Sequence, residues 1–417
     1  MKLNEFNGNR LRSARNYRGF TVENLASVSG INKKDIQSFE EGKYFPTLEN
    51  SMKISGSLQF PREHFYTADK QTVSIERKHF NTQSKLPRNT EISYREKLVM
   101  LNRVYDVIKK YIKFPDANID FSELENTSDI EETALKTRKM LKIGNNPAQD
   151  MTGIMERAGF ILTDMNVDKK QASPITQKQK TESGCKYFIA VGNDRKSAVY
   201  RNTDLANELG FIVSNELGIS SKNFDTEEFA AAFLLPEDEF RKDLGDTSEI
   251  EGYLEVSSKW IVPVHTSIYR AYSIGAINYR KYCYLMDSLE KKGWLQKDPL
   301  GNIKAIAPKM VKGAVELLIE EKIFTADTFM DVLEKEGIYV YSNEIEEITG
   351  VKKGYLSGKN KSNVEDFESI LNRKMVKEKN SASKSKDKRN TRGGNNNKSG
   401  KNKSGAAKGK QKGRKKR

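Results

Sequence analysis

One group of acidic residues in the sequence could bind a metal ion: Asp204, Glu208, Asp225, Glu227 and Glu228. Carboxylate oxygens are good ligands for Mg²⁺ and Ca²⁺, so these residues could form an oxygen-rich cation site. The alternative is structural: Asp225 and Glu228 would form the capping pair of a helix, and the others would lie on a solvated face. The structural role is favoured, because acidic residues are common at helix starts without any metal.

Zinc-dependent hydrolysis requires a different pattern. Two histidines at positions i and i+4 of one helix bind the metal, and the glutamate between them activates the bound water. The chain has three histidines, His64, His79 and His265, and no two of them have this spacing. Its two cysteines, Cys185 and Cys283, also lie far apart. We therefore expect no cofactor.

The surroundings of such a zinc site are nevertheless present in the sequence. The stretch Ser197–Phe211, with its core Asn207-Glu-Leu-Gly-Phe211, resembles the zinc-binding helix of ImmA/IrrE-type metallopeptidases. Downstream, Phe229-Ala-Ala-Ala-Phe-Leu-Leu-Pro236 resembles the second active-site helix of that family. The order of these and further segments matches the family over about residues 8–370. The resemblance implies a zincin-like α/β domain of the peptidase type.

By this resemblance, the three zinc-ligand positions are Asn207, Phe211 and Asn223, and Glu208 stands at the general-base position. Phenylalanine cannot coordinate a metal, and an amide oxygen is a poor ligand for Zn²⁺. Without the metal, Glu208 has no activated water to deprotonate. We expect an inactive domain for sensing or protein binding, with zinc present only if the alignment is wrong. The alternative is a metal-dependent endopeptidase with an atypical site.

Near the N-terminus, short helices are separated by capping and turn residues. Thr21 and Asn32 can cap two helices, and Gly30 and Gly42 can end them,. A third helix would begin at Pro46-Thr47, with Leu48, Ile54 and Leu58 inside. The pattern resembles the Xre/Cro-type helix-turn-helix over about residues 8–66, which implies binding to double-stranded DNA.

The start of the second helix of this motif reads bases in that family. Carried over by position, the resemblance places four residues in the DNA groove and Lys43 near a phosphate; the four are Lys33, Lys34, Gln37 and Ser38. The alternative is a helical bundle that binds another protein and does not contact DNA. Because members of the ImmA/IrrE family cleave repressors, a repressor or other regulatory protein is a further expected partner.

The charge of the chain is concentrated at its C-terminal end. The net charge is +15, and residues 373–417 alone carry 19 Lys or Arg against two acids, a net charge of +17. This segment has no large apolar side chain beyond residue 380, so it cannot form a core and we expect it to be disordered. Spread positive charge predicts nonspecific binding to nucleic acid. A solubility tail and an anionic membrane surface are the alternatives, but no lipidation motif or amphipathic helix supports a membrane.

These patterns together predict an α+β fold that is predominantly helical. Short β-like runs are expected at 159–163, 187–191 and 197–200, with helices before and after them. No apolar run of membrane-spanning length and no signal-peptide pattern is present,, so a cytoplasmic location is expected. The expected divisions are a helix-turn-helix, a helical connector, an ImmA/IrrE peptidase-like domain, a helical C-terminal region and a disordered basic tail, at 1–68, 69–142, 143–245, 246–372 and 373–417.

Overall fold

The N-terminal helices begin where the sequence suggests at Thr21, Asn32 and Thr47, and one of them ends at Gly30. The computed structural model contains four of them: α1 Gly8–Tyr17, α2 Val22–Ser29, α3 Lys33–Glu40 and α4 Leu48–Leu58. The side chain of Thr21 accepts a hydrogen bond from the backbone of Asn24 at the start of α2, and Asn32 accepts one from Lys34 at the start of α3. Gly30 ends α2 with φ of 68°, a left-handed conformation that glycine adopts without strain,. A 3₁₀ turn at Arg62–Tyr66 closes the bundle.

Twelve further helices follow among the described residues. They are α5 Arg88–Ile108, α6 Ile130–Met140, α7 Met151–Arg157, α8 Ala198–Glu216, α9 Thr226–Leu234, α10 Glu237–Leu244, α11 Ile250–Trp260, α12 Val264–Ser273, α13 Tyr279–Lys291, α14 Met310–Glu320, α15 Ala326–Lys335 and α16 Ser342–Thr349. A second 3₁₀ turn lies at Phe121–Leu124. No helix in the described part of the chain is both long enough and apolar enough to cross a membrane.

The structure describes eleven segments of the chain: 5–68, 73–78, 87–115, 119–125, 127, 129–165, 174–181, 184–193, 196–220, 223–245 and 248–357. His79 and the basic segment 373–417 lie outside these segments. The described segments all belong to one compact unit, which spans Met1–Gly358.

A mixed sheet of four strands lies at the centre of this unit. Its strands are β1 Ser74–Lys78, β2 Ile161–Met165, β3 Ile175–Thr181 and β4 Gly184–Gly192, in the order β1-β3-β4-β2. β4 pairs antiparallel with β3 and parallel with β2. Since successive side chains of a strand point to opposite faces, the sheet contributes to two hydrophobic cores. The side chains of Ile161 and Phe188 enter one core, and those of Leu162 and Ile189 enter the other.

Each core is built from elements that are distant in sequence. The first core contains the N-terminal bundle, α5, one face of the sheet and the C-terminal helices α14–α16. The second core contains the opposite face of the sheet and helices α6–α9 and α11–α13, with Phe240 and Leu244 of α10. The N-terminal bundle therefore packs in a common core with helices near residue 350. The fold is predominantly helical α+β, as predicted.

Two local predictions were wrong. Residues 198–200 begin helix α8 rather than forming a β-like run, because a short apolar stretch fits a buried helix as well as a strand,. Ser197, the N-cap of α8, forms only an isolated β-bridge with Lys304. The side chain of Leu48 is 59% exposed rather than inside the bundle, whereas Ile54 and Leu58 are buried. Strands β1 and β3 were not predicted, since polar residues dominate both.

Candidate functional site

Helix α3 presents its first turn to solvent and buries its opposite side. Lys33, Lys34 and Gln37 are exposed, and Ile36 and Phe39 lie in the first core. The hydroxyl of Ser38, which is half-buried, donates a hydrogen bond to the backbone oxygen of Lys34 at 2.9 Å. Lys43 is exposed in the loop that follows α3. Three of the four predicted groove residues therefore lie on an accessible face of one helix.

An ion-pair network fixes the position of α3 relative to α1. Glu40 is 7% exposed. Its carboxylate accepts hydrogen bonds from Nε and Nη2 of Arg15 at 2.6 and 2.9 Å, and one from Nε of Arg12 at 3.3 Å. A Cβ atom added to Gly8 would lie 2.2 Å from the backbone oxygen of Phe39, so α1 contacts the end of α3 closely. The exposed first turn is thus held on a rigid support.

Two of the predicted DNA-contacting lysines already have acidic partners. Nζ of Lys33 lies 2.5 Å from the carboxylate of Glu23, and Nζ of Lys43 lies 2.5 Å from that of Glu41. The hydrogen bond from Lys33 lowers the pKa of Glu23 to about 2. These pairs are exposed and weak, so a phosphate could replace the carboxylate. Lys34 forms no ion pair within the described segments, so no carboxylate there competes with a phosphate for its ammonium group.

The bundle is attached to the C-terminal region by hydrogen bonds from buried groups. Arg10, which is 4% exposed, donates from Nη1 to the backbone oxygen of Gly337 at 2.9 Å. Nδ1 of His64 donates to the backbone oxygen of Tyr339 at 3.1 Å, because a carbonyl can only accept,. Burial lowers the pKa of His64 to about 3, so this residue is neutral at physiological pH. The orientation of α3 is therefore set by the body of the protein.

Helices α8 and α9, which carry the resemblance to a zinc peptidase, pack closely together. A Cβ atom added to Gly210 of α8 would lie 2.7 Å from Cδ1 of Phe229 of α9. Asn207 and Phe211 are half-buried on α8, one turn apart, and the buried Oδ1 atom of Asn207 has no hydrogen-bond partner among the described residues. Asn223 is exposed in the loop before α9. The three side chains supply no imidazole, thiolate or carboxylate, so this donor set does not fit Zn²⁺.

Glu208, at the predicted general-base position, is buried. Its side chain is 1% exposed. Desolvation raises the pKa of Glu208 to about 8; a hydrogen bond with Thr176 of β3 opposes this shift, and the charge of Asp204 adds to it. The carboxyl group therefore contacts the sheet as a neutral acid. The carboxylate form that a general base needs is therefore the minor form of Glu208 at pH 7,.

The remaining acidic residues fit the structural interpretation. Oδ1 of Asp225 accepts hydrogen bonds from the backbone nitrogens of Glu227 and Glu228 at 2.8 and 3.1 Å, so Asp225 is the N-cap of α9. Asp225, Glu227 and Glu228 are exposed, whereas Glu208 is buried. Within the described segments, no three His, Cys, Asp or Glu side chains are grouped in a way that could hold a metal ion.

One surface feature was not recognised in the sequence. Tyr44, Phe45, Leu48 and Met52 are between 46% and 62% exposed, and they adjoin α3 along the chain. The spacing of Leu48 and Met52 was a visible signal, because residues four apart share a helix face. Sequence alone did not indicate whether that face was covered.

Among solved structures, the crystal structure of Bacillus thuringiensis PlcR in complex with the peptide PapR7 and DNA matches with a TM-score of 0.14 and 12% identity. The match covers 82% of this chain and 96% of that one. At this TM-score the likeness supports neither a shared fold nor a shared function. No protein-family model and no curated protein matches the chain.

Proposed function

We propose that the protein is a DNA-binding regulator that contacts double-stranded DNA through the first turn of α3. The observation that carries the proposal is the exposure of Lys33, Lys34 and Gln37 on a helix whose other side is held by Ile36 and the Arg15–Glu40 pair. A recognition helix needs this combination, because its exposed side must enter the major groove while its other side stays packed against the rest of the domain.

The residue types on this face suit several base and phosphate contacts. Lysine can donate to guanine or to phosphate, and glutamine can pair with adenine at its N6 and N7 atoms. Ser38 can contact either kind of group, and Lys43, which is exposed in the loop after α3, can donate to a phosphate. Residues 5–68 contain nine Lys or Arg and seven Asp or Glu. This small excess of positive charge gives the N-terminal bundle limited electrostatic affinity for DNA. Contacts to bases must therefore contribute to the affinity of the bundle for its site.

The basic segment 373–417 would supply additional, sequence-independent affinity. Each phosphate that its Lys and Arg side chains neutralise adds about 0.9 to the slope of log affinity against log salt. With a net charge of +17, partial engagement of this segment would dominate binding at low salt. We assign site selection to α3 and nonspecific attraction to the tail.

For the α8–α9 region we propose a role in sensing or protein binding without zinc hydrolysis. The non-ligating residues at positions 207, 211 and 223 and the burial of Glu208 support this assignment. The partner expected from the ImmA/IrrE resemblance is a repressor or another regulatory protein. A metal-dependent endopeptidase function would require a metal site other than the one that the resemblance implies.

Selection from a pool of random DNA duplexes tests the proposal. The full chain, the chain ending at residue 372 and the Lys33→Ala/Lys34→Ala variant are used, and affinities for the selected duplex are measured by fluorescence anisotropy over a salt series. We expect the shortened chain to select a sequence, and the double substitution to weaken binding about tenfold or more and to reduce the salt slope by about 2.

The control is the Lys291→Ala/Lys292→Ala variant. These lysines are also adjacent at a helix end, and Lys292 pairs with Glu251 at 2.7 Å much as Lys33 pairs with Glu23. The control should bind DNA like the unchanged chain. If the chain ending at residue 372 selects no sequence, or if both double variants behave alike, α3 does not read DNA.

A further inference from the structure

Helices α6 and α7 and the loop that joins them border a cavity of about 570 Å³, which we call the α6–α7 cavity. This volume is within the range of small-molecule sites, about 300–1,000 Å³. Six apolar side chains of its wall pack against the second core: Ile119, Met140, Leu141, Ile143, Ile154 and Ala158. The second core is therefore only partly covered at this point, and the cavity offers an apolar wall to a ligand.

A buried arginine holds the first part of the loop between α6 and α7. Arg138 of α6 is 1% exposed. Its Nε atom donates a hydrogen bond to the backbone oxygen of Gly144 at 2.9 Å. The same guanidinium also donates to the backbone oxygens of Asn146 in the loop and Phe233 of α9. One side chain thus fixes two residues of the loop against a neighbouring helix.

A buried amide of α8 holds the end of the same loop. The Nδ2 atom of Asn202 donates a hydrogen bond to the backbone oxygen of Gln149 at 3.1 Å, and its Oδ1 atom accepts one from the backbone nitrogen of Met151 at 3.3 Å. The loop is therefore anchored at both ends and the cavity is preformed. A preformed site lowers the entropic cost of binding a ligand.

The charges at the α6–α7 cavity favour an anionic ligand. Lys142 and Arg157 line it and are exposed, and neither forms an ion pair in the part of the chain that the structure describes. Asp150 is the only acid among the described lining residues, and its Oδ1 atom already accepts a hydrogen bond from the backbone of Gly153 at 3.0 Å. Burial lowers the pKa of Arg138 only to about 10, so its positive charge remains behind the loop at neutral pH. The cavity therefore has a net positive charge.

We propose that the α6–α7 cavity binds a small amphiphilic anion, with one carboxylate or phosphate group and an apolar chain. The anionic group contacts Lys142 and Arg157, where a charge-assisted hydrogen bond is stronger than a neutral one. The apolar chain lies against Ile154 and Ala158, which are buried and one turn apart along α7,. A carboxylate and a phosphate monoester share this chemistry, so the test includes both.

The first test titrates the full chain, without DNA, with octanoate, octyl phosphate, 1-octanol and octylammonium by isothermal titration calorimetry. We expect at least one of the two anions to bind one site per chain with a Kd below about 1 mM. 1-Octanol should bind about tenfold more weakly or worse, and octylammonium more weakly still, because neither carries the complementary charge. The six-carbon homologue of the anion should bind about tenfold more weakly than the eight-carbon form, since two methylenes leave the apolar wall.

The ligand series also distinguishes the two headgroups. Tighter binding of octanoate would identify the ligand as a carboxylate, and tighter binding of octyl phosphate would identify it as a phosphate ester. Failure of both anions to bind, equal affinity for 1-octanol, or no dependence on chain length would refute the proposal.

The second test locates the binding on the chain. The Lys142→Gln/Arg157→Gln variant should bind the anion at least about tenfold more weakly and 1-octanol within about twofold of the unchanged chain. The control is Arg280→Gln/Lys291→Gln, which removes the same two kinds of charge from exposed positions on α13 that do not line the cavity. It should bind the anion like the unchanged chain. Equal losses in the two double variants, or no loss in the first, would show that the anion binds elsewhere and would overturn the site.

Anion binding is measured without DNA, so this proposal and the proposed function can fail independently. A chain that binds the anion through Lys142 and Arg157 but selects no DNA sequence would support the cavity site and refute DNA binding by α3. A chain that selects a DNA sequence but binds neither anion would refute the cavity site and leave the proposed function standing.

Discussion

Arg18, the C-cap of α1, and Glu344 of α16 form an ion pair with an N–O distance of 2.9 Å, although they lie 326 residues apart in sequence. The guanidinium also donates hydrogen bonds to the backbone oxygens of Leu58 and Gln59 at 2.7 and 2.9 Å. Glu344 is 3% exposed. One arginine thus joins the first helix, the end of α4 and the C-terminal region around a buried carboxylate.

We expect Arg18→Ala to lower the free energy of unfolding by about 3 kcal/mol, because Glu344 would remain buried without its cation. Urea denaturation monitored by circular dichroism measures this loss. The control is Lys110→Ala, since Lys110 pairs with Glu336 at 2.7 Å between exposed side chains and should contribute less than about 1 kcal/mol. Equal losses for the two variants would show that the Arg18 pair is not specially stabilising.

The close contact between α8 and α9 predicts that Gly210→Ala destabilises the protein. Alanine favours a helix over glycine by about 1 kcal/mol, but its Cβ would lie 2.7 Å from the ring of Phe229. Overpacking of this kind costs about 1–3 kcal/mol. Gly313→Ala on α14 is the matched control, because a Cβ there meets no atom within 4 Å and should stabilise slightly. Thermal unfolding midpoints that rise for both variants would contradict the contact.

The raised pKa of Glu208 predicts a stability that depends on pH. In the unfolded chain this carboxyl ionises above its ordinary pKa of 4.5, whereas in the folded protein it stays protonated up to about pH 8. Its contribution is therefore fully present below pH 4.5 and is lost as pH rises to 8. Relative to Glu208→Gln, the unchanged protein should lose on the order of 3 kcal/mol of unfolding free energy between pH 5 and 8.

Urea titrations of both proteins at several pH values measure this difference. Glu290→Gln, at an exposed position on α13, is the control and should follow the profile of the unchanged chain. Parallel profiles for Glu208→Gln and the unchanged protein would mean that Glu208 is ionised in the folded state. A general-base role would then regain support.

Restoring the zinc ligands tests the ImmA/IrrE alignment itself. The Asn207→His/Phe211→His/Asn223→Glu variant should bind about one equivalent of zinc after dialysis, measured by elemental analysis, because it regains two imidazoles and a carboxylate. The variant with only the two histidines is the control and should bind zinc more weakly. If the triple variant retains no more zinc than the unchanged chain, the three positions do not converge and the alignment is wrong.

Local chemistry in this sequence predicted local structure well. The caps at Thr21, Asn32 and Asp225 depend on neighbours within a few residues, and all three are present. Strand β3 was missed because most of its buried side chains are polar. Gln179 accepts a hydrogen bond from Asn102 of α5 at 2.9 Å and donates one to Gln177 at 2.9 Å. Burial of these amides depends on a partner 77 residues away, which no short pattern reveals.

The sequence also predicted the local features of the candidate site but not its long-range contacts. The exposure of Lys33 and Lys34 follows from the period of α3, because Ile36 and Phe39 fix which side faces inward. The acidic partner of Lys33 and the burial of Glu208 were not predicted. Both depend on which helices and strands lie next to one another, and that arrangement is set by the two cores.

The common core of the N-terminal bundle and α14–α16 has a consequence for synthesis of the protein. Chains are made from the N-terminus at about 5–20 residues per second, and the bundle completes its packing only when residues up to Leu356 are available. A chain that ends before these helices would carry helix α3 on an unfinished support. The exposed first turn of α3 is therefore fully supported only after the helices near residue 350 have been synthesised.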